Sequence, residues 1–167
     1  DKKDKLIRAN HIIVDLGAAP GGWSEYAVKK VKPKGQVIAL DLLAIEPIEG
    51  VHFIQGDFSD EAVFSQLQTL INNKPVDVVL SDIAPNMSGT KGIDQPKSMY
   101  LAELALDFAK NSLAGDGVFL IKLFQGEGFD QYVVEPRKVF DKVVIRKPKA
   151  SRARSREVYL LAKGLKL

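Results

Sequence analysis

Short apolar runs recur along the chain and predict the strands of a sheet. The runs are rich in valine, isoleucine, leucine and phenylalanine and are bounded by glycine, proline or aspartate, which is typical of β-strands. Several are apolar at successive positions, as expected for strands that are covered on both faces. The predicted strands are 11–17, 36–41, 51–57, 76–82, 117–124, 142–148 and 156–164.

Between the strands, apolar residues recur at intervals of three and four, which predicts helices. Ser59 and Asp60 can cap a helix that continues to Ile71, and residues 95–113 show the same spacing. Alternation of strands and helices predicts an α/β fold, a parallel sheet with helices on both faces. Only a polar loop separates the last two strands, so we expect an antiparallel hairpin that completes a single domain spanning 1–167.

The segment VDLGAAPGGWS at 14–24 leads from a strand through a glycine-rich turn into a helical stretch. Glycines at this point let the backbone approach a ligand closely, with the N-terminus of a helix behind it. A tight turn alone would explain them, but the pattern favours a nucleotide-like ligand. The spacing G-x-x-x-G-G differs from the G-x-G-x-x-G of nicotinamide sites, and the P-loop pattern of NTPases is absent from the sequence.

Three aspartates follow three predicted strands, at the sheet edge where α/β proteins bind ligands. Asp41 follows the glycines at a distance that suits a contact with a ribose diol. Asp57 follows the next strand, although it could instead begin the cap of the helix after it. Asp82 ends the fourth strand. A nicotinamide enzyme has no standard use for the last two carboxylates, whereas a cofactor with adenine, ribose and a sulfonium could use all three.

Lys122 lies inside the apolar run VFLIKLF of the fifth strand. A buried lysine is costly unless it is paired or functional. An edge-strand position or a snorkelling side chain would also explain it. Because Asp82 ends a neighbouring strand, we expect the two side chains to lie within reach of each other and to act in catalysis.

Charge is distributed unevenly along the chain. Residues 137–167 hold 11 Lys/Arg against 2 Asp/Glu, whereas residues 1–136 hold 13 against 19. A basic segment on an otherwise acidic domain favours a polyanionic partner over a merely solvated face. Glu157 is the single acid after three arginines, and its alternative role is a surface ion pair with one of them. The arginines are Arg152, Arg154 and Arg156.

The composition excludes several classes of protein. Without cysteine there is neither a disulfide framework nor a thiolate metal site, and two separate histidines make no histidine cluster. No apolar run approaches the roughly 18 residues of a membrane helix. The expectation is a metal-independent cytoplasmic protein without a membrane partner.

Five segments resemble the bacterial FtsJ/RrmJ family over nearly the whole chain. They are DLGAAPGGWS, DLLAIEPIEGVHFIQGDF, SDIAPNMSGT, KLFQGEGFD and KPKASRARSREVYLLA. That family comprises heat-shock S-adenosylmethionine-dependent 2′-O-ribose methyltransferases of large-subunit ribosomal RNA. The resemblance implies a Rossmann-like class I methyltransferase fold, a doubly wound, mostly parallel seven-stranded sheet with an antiparallel C-terminal strand.

The resemblance also implies the roles of individual residues. Asp82, Lys122 and Glu157 match members of the family's Lys-Asp-Lys-Glu catalytic tetrad. The tetrad's first lysine lies farther before the first strand than Lys2, Lys3 or Lys5, so we expect the family's N-terminal segment to be absent from this chain. The residues implied in cofactor binding are Gly17, Pro20, Gly21, Gly22, Trp23, Asp41, Leu42, Asp57, Phe58 and Asp82.

The activity implied is S-adenosylmethionine-dependent 2′-O-methylation of a uridine ribose in 23S ribosomal RNA, by a monomer acting on the assembled large subunit. The three C-terminal arginines are expected to hold RNA phosphates. Two alternatives stay open. A nicotinamide oxidoreductase would explain residues 17–41 but neither Asp57 nor Lys122. A non-catalytic RNA-binding protein would keep the basic segment without needing Lys122 and Asp82.

Overall fold

A computed structural model describes residues 6–18, 21–32, 34–82, 91–147 and 156–166. The strands are β1 (Ile12–Leu16), β2 (Gln36–Asp41), β3 (Val51–Gln55), β4 (Val76–Ser81), β5 (Leu113–Phe124), β6 (Phe140–Arg146) and β7 (Glu157–Leu165). The helices are α1 (Gly22–Val31), α2 (Glu61–Ile71), α3 (Lys91–Ser112) and α4 (Phe129–Val139).

The seven strands form one sheet in the order β3-β2-β1-β4-β5-β7-β6. Strands β1 to β5 pair in parallel, and β7 lies antiparallel between β5 and β6. The seven-stranded fold with its antiparallel C-terminal strand is therefore confirmed, as is the hairpin. Strand β1 pairs with β2 on one side and with β4 on the other, so the chain changes direction across the sheet there. Open α/β sheets bind ligands at such a switch point, outside the carboxyl ends of the strands.

Apolar side chains cover both faces of the sheet, because successive strand residues point to opposite sides. The face under α1 buries Ile13, Val37, Val78, Val118 and Leu161. We call it the α1 face. The opposite face, under α2, α3 and α4, buries a larger cluster. That cluster includes Val14, Leu16, Ile38, Leu40, Val79, Phe119, Ile121 and Leu160. Alternation then places Asp15, Asp41, Lys122 and Tyr159 on the α1 face.

Helix α4 was not predicted from the sequence. Pro136 lies inside it, and proline in a helix interior removes a hydrogen bond, so the segment lacks a strong helical signal. Tertiary packing outweighs this cost, because Tyr132, Val133 and Pro136 are buried on one side of the helix. The Tyr132 hydroxyl also donates to the carbonyl of Ala102 in α3 at 2.8 Å.

Several predicted boundaries differ from the structure by one to four residues. Strand β5 begins at Leu113, four residues before its predicted start at 117. An irregular register explains this start, since Val76 pairs with Leu113 but Val78 pairs with Val118. Strand β3 ends at Gln55, before Asp57. Within the described ranges, no helix has the length and apolarity that a membrane crossing requires.

Candidate active site

The carboxyl ends of β2, β1, β4 and β5 form one edge of the sheet, and strand pairing continues just beyond them. The Gly17 amide donates to the Leu40 carbonyl, and the Asp82 amide donates to the Leu16 carbonyl, both at 2.8 Å. Gly17 therefore lies between Asp41 and Asp82 along this edge. Lys122 comes next, one position past the Ser81–Ile121 pair.

Lys122 and Asp82 form an ion pair, with 2.6 Å between Nζ and Oδ1. Their side chains keep only 19% and 30% of their exposure, respectively. Burial raises the pKa of the Asp82 carboxyl above its ordinary value, whereas the hydrogen bond and charge of Lys122 act in the opposite direction. The structure thus brings together the lysine and aspartate that the sequence paired.

Glu157 is placed at the same edge by the antiparallel pairing of β7. It is the first residue of β7 and lies opposite Phe124, two positions along the strand from Tyr159, which pairs with Lys122. Its charge contributes to the raised pKa of Asp82, after the larger effect of burial. Glu157 therefore lies on the α1 face within electrostatic reach of the Lys122–Asp82 pair.

Tyr159 is a site residue that the sequence reasoning missed. Its ring contacts Trp23, with centroids 5.8 Å apart and planes tilted by 41°. Burial, followed by the charges of Asp82 and Glu157, raises the pKa of Tyr159 to about 12. The hydroxyl consequently stays protonated at neutral pH. The sequence signal for Tyr159 is its position two residues after Glu157 in a predicted strand, which places both side chains on the same face.

The glycine-rich segment leads directly into α1, which begins at Gly22. Gly17 and Gly21 have φ angles of 76° and 112°, which side chains disfavour. A Cβ on Gly21 would lie 3.0 Å from Cδ1 of Ile48. The turn therefore needs glycine for its backbone conformation, as expected, and Trp23 follows it in the first turn of α1. Pro20 lies outside the described residues.

Asp15 was also missed, although it interrupts the apolar run IIVDL as Lys122 interrupts its own. Its side chain is fully buried, and the Ser24 hydroxyl donates to Oδ2 at 2.7 Å. The other oxygen, Oδ1, is buried without a hydrogen-bond partner among the described residues. Burial raises the pKa of Asp15 to about 7. The charges of Asp82 and Asp41 also raise this pKa, whereas the hydrogen bond from Ser24 lowers it.

The remaining cofactor candidates have different surroundings. Asp41 Oδ1 accepts from the Leu43 amide at 3.0 Å, and Leu42 is 54% exposed at the same edge. Asp57 accepts from the amide and hydroxyl of Ser59, which lowers the pKa of its carboxyl. Asp57 therefore shapes the turn before α2, although Asp60 is the helix cap itself.

Phe58 points away from this edge. Its side chain is 6% exposed, and its ring packs against Phe64 and Phe108 with centroid distances of 6.1 and 6.0 Å. Its side chain belongs to the core between the sheet and α3, so only its backbone is available to a ligand.

The basic segment is described only in part. Arg156 is exposed directly before β7, and its carbonyl accepts from the Gln125 amide at 2.9 Å. Arg152 and Arg154 lie outside the described residues. Across the described part of the chain, no three His, Cys, Asp or Glu side chains are grouped as a metal site would require.

Comparison with known proteins finds a matching family model and a similar curated relative. The model of the FtsJ-like methyltransferase family matches residues 1–165. A curated relative, ribosomal RNA large subunit methyltransferase E of Cellvibrio japonicus, is 57% identical over 162 residues, covering 97% of this chain and 77% of the relative.

Two solved structures share the fold. A Plasmodium falciparum protein assigned as a ribosomal RNA methyltransferase superposes with a TM-score of 0.86 at 28% identity, covering 99% of this chain and 92% of its own. Human methyltransferase-like protein 13 in complex with SAH superposes with a TM-score of 0.67 at 15% identity, covering 98% and 76%.

We predict that Asp15→Asn stabilises the protein in a pH-dependent manner. An aspartate whose pKa rises on folding stabilises the fold only while it is protonated. That contribution is complete below its ordinary value of 3.8 and is lost as the pH rises to about 7. Asparagine has the same shape and stays neutral. Its advantage over aspartate should be larger by about 2–3 kcal/mol at about pH 8 than at about pH 5.

Chemical denaturation of both proteins at the two pH values measures this difference. Asp116→Asn, at an exposed position at the start of β5, is the control and should show no such change. An equal Asp15→Asn effect at both pH values would show that the buried carboxyl is already ionised throughout this range.

Proposed function

The chain belongs to the FtsJ-like methyltransferase family, and we propose that it transfers the methyl group of S-adenosylmethionine to a ribose 2′-hydroxyl of large-subunit ribosomal RNA. The observation that carries this proposal is the Lys122–Asp82 ion pair at the switch-point edge, with Glu157 beside it. The name of the Cellvibrio japonicus relative supports the RNA substrate, and the SAH complex of the human structure supports the cofactor.

The residues at this edge suit S-adenosylmethionine, which supplies a methyl group on a positively charged sulfur. Gly17 and Gly21 leave room for the backbone to approach a ligand. Carboxylates at Asp15, Asp41 and Asp82 make the edge acidic on the α1 face, which favours a cation. Asp41 is proposed to hold the ribose hydroxyls and Asp57 to lie on the adenine side.

The chemical task left to the protein is to hold the attacking hydroxyl in line with the methyl carbon and to take its proton. As the C–O bond forms and the C–S bond breaks, the 2′-hydroxyl proton must move to a base. Lys122 is the proposed acceptor, because a lysine amine can take a proton when it is in the neutral form, which burial or a nearby cation favours. Asp82 and Glu157 would orient that amine and the hydroxyl.

RNA would reach the site along the basic segment. The exposed Arg156 immediately precedes Glu157, so a phosphate held there would place the neighbouring ribose near Lys122. Phosphate contacts fix position without reading sequence. We therefore propose that shape selects a uridine ribose of 23S ribosomal RNA within the assembled large subunit, and that the protein acts as a monomer in the cytoplasm.

Asp41→Ala should weaken S-adenosylmethionine binding by about 1–3 kcal/mol, because it removes a charged hydrogen-bond partner. Asp41 also accepts from the Leu43 amide, so Asp41→Asn serves as a second variant that keeps an acceptor for the loop. Calorimetry should show a loss for both variants. Unchanged affinity in Asp41→Asn would mean that the charge has no part in binding.

Lys122→Met should lower the single-turnover rate of methyl transfer by roughly 10²–10⁴, the usual contribution of a positioned base. The substitution also breaks an ion pair, so Lys110→Met is the matched control, since it breaks the Lys110–Glu135 pair at 3.1 Å on the other side of the sheet. Both variants should still bind the cofactor. A near-normal rate in Lys122→Met would remove this lysine from the mechanism.

Replacing Arg152, Arg154 and Arg156 with alanine should weaken RNA binding and flatten its dependence on salt. Three lost phosphate contacts reduce the slope of log K against log salt by about 2 for single-stranded RNA. Lys30, Lys32 and Lys34 have the same spacing at the opposite edge of the sheet, and their alanine variant is the control. Filter binding at several salt concentrations measures both slopes. Equal slopes for the two variants would assign the arginines another role.

A further inference from the structure

Asp15 is the buried charged group that the proposed mechanism does not use. It lies in the middle strand of the three that carry the carboxylates, opposite Ala39 of β2 and Leu80 of β4. On the α1 face, the next positions along those two strands are Asp41 and Asp82. Asp15 therefore lies between the strands that carry Asp41 and Asp82, level with the residues two positions before them.

No side chain of β1 covers Asp15 at the edge of the sheet. The next residue of β1 on the same face is Gly17, which has no side chain, and the backbone turns there with a φ of 76°. The carboxyl thus lies buried beneath this edge, between the positions of Asp41 and Asp82 on the neighbouring strands. Ser24, also fully buried, holds Oδ2 at 2.7 Å from the first turn of α1. Oδ1 has no partner among the described residues.

The charges around Asp15 favour a cation. Asp41 faces it from β2 and Asp82 from β4, and both charges raise its pKa, which burial brings to about 7. Ser24 is the group that faces it from α1, whose Glu25 and Lys29 are exposed and paired with each other. Lys122 is paired with Asp82. Three carboxylates converge here with one lysine.

We propose that Asp15 is a positioning residue that selects the charged cofactor: its carboxyl loses a proton when a sulfonium ligand binds and regains it when the sulfur is neutral. The inference rests on the proposed function, because it takes S-adenosylmethionine as the ligand. A positive sulfur held at this edge, close above Asp15, would stabilise the carboxylate. After methyl transfer the sulfur is an uncharged thioether, so that stabilisation disappears and the product is held less tightly.

The linkage has a defined sign. In the ligand-free protein, burial raises the pKa of Asp15 to about 7. Binding of the cation must therefore release the carboxyl proton at lower pH. At higher pH the carboxyl is already ionised, and no proton is released. The Kd for S-adenosylmethionine should therefore rise about tenfold between about pH 8 and about pH 6. The Kd for S-adenosylhomocysteine should change by clearly less, because that ligand lacks the sulfonium charge.

Calorimetric titration of both ligands into wild type and Asp15→Asn tests the proposal. In the variant the neutral amide has no proton to lose, so the rise in its Kd for S-adenosylmethionine over this pH interval should be about tenfold smaller than the rise in wild type. Any titration of the ligands themselves is common to both proteins and cancels in the comparison. Repeating the titrations in buffers of different ionisation enthalpy counts the released protons, which should fall from near one to near zero in the variant at about pH 6.

Two further variants keep the test decisive. Ser24→Ala removes the hydrogen bond that favours the carboxylate, so the same pH dependence should appear at higher pH. The chain's two histidines, His11 and His52, serve as the control. Replacing both with glutamine should leave the pH dependence unchanged.

The outcomes separate this inference from the proposed function. Full pH dependence retained in Asp15→Asn, or equal pH dependence for the two ligands in wild type, would overturn the role of Asp15 while leaving the cofactor in place. No binding of S-adenosylmethionine at about pH 8 would instead overturn the proposed function itself. A wild-type to Asp15→Asn affinity ratio that changes with pH for S-adenosylmethionine, and clearly less for S-adenosylhomocysteine, establishes the linkage.

Discussion

The antiparallel pairing of β7 between β5 and β6 is the constraint on which the site depends. It brings the beginning of the last strand to the edge where the other strands end, so Glu157 and Tyr159 lie beside Lys122. A slip of one residue in this register would turn both side chains to the opposite face and present Val158 and Leu160 in their place. Because β7 is paired on both sides, and Leu160 and Ala162 are buried in the core, such a slip is strongly disfavoured.

The same edge of the sheet brings several carboxylates close together, which lowers the stability of the fold. Asp82 has a lysine partner, but Asp15 gives up hydration for a single serine hydroxyl. Buried carboxylates that repel one another lower the stability of the protein without ligand, and a cationic ligand recovers that cost. Functional sites commonly carry such destabilising arrangements, since what suits the ligand seldom suits the empty fold. The glycines of the first turn act in the same direction by leaving the edge uncovered.

Local signals predicted much of this architecture, and long-range packing decided what they missed. The apolar runs, the glycine turn and the pairing of Lys122 with Asp82 could be read from the sequence, because a charge inside an apolar strand is conspicuous. Asp15 also places a charge inside an apolar strand, but the glycine-rich turn that follows it is the stronger sequence signal. The contact of Tyr159 with Trp23 joins opposite ends of the chain and leaves no local trace. Phe58 is itself among the residues predicted to bind the cofactor, yet its ring packs against Phe108 in the core.

Trp23 gives the protein an optical property that follows from its position. It is the single tryptophan of the chain, so the protein's tryptophan emission comes entirely from the first turn of α1, next to the glycine turn. Its ring lies 5.8 Å from that of Tyr159, which in turn stands between Lys122 and Arg146 along the sheet. One chromophore thus lies beside the glycine turn and contacts the strand that carries Glu157. Its fluorescence is therefore sensitive, without any added label, to changes at the contact between the first turn of α1 and β7.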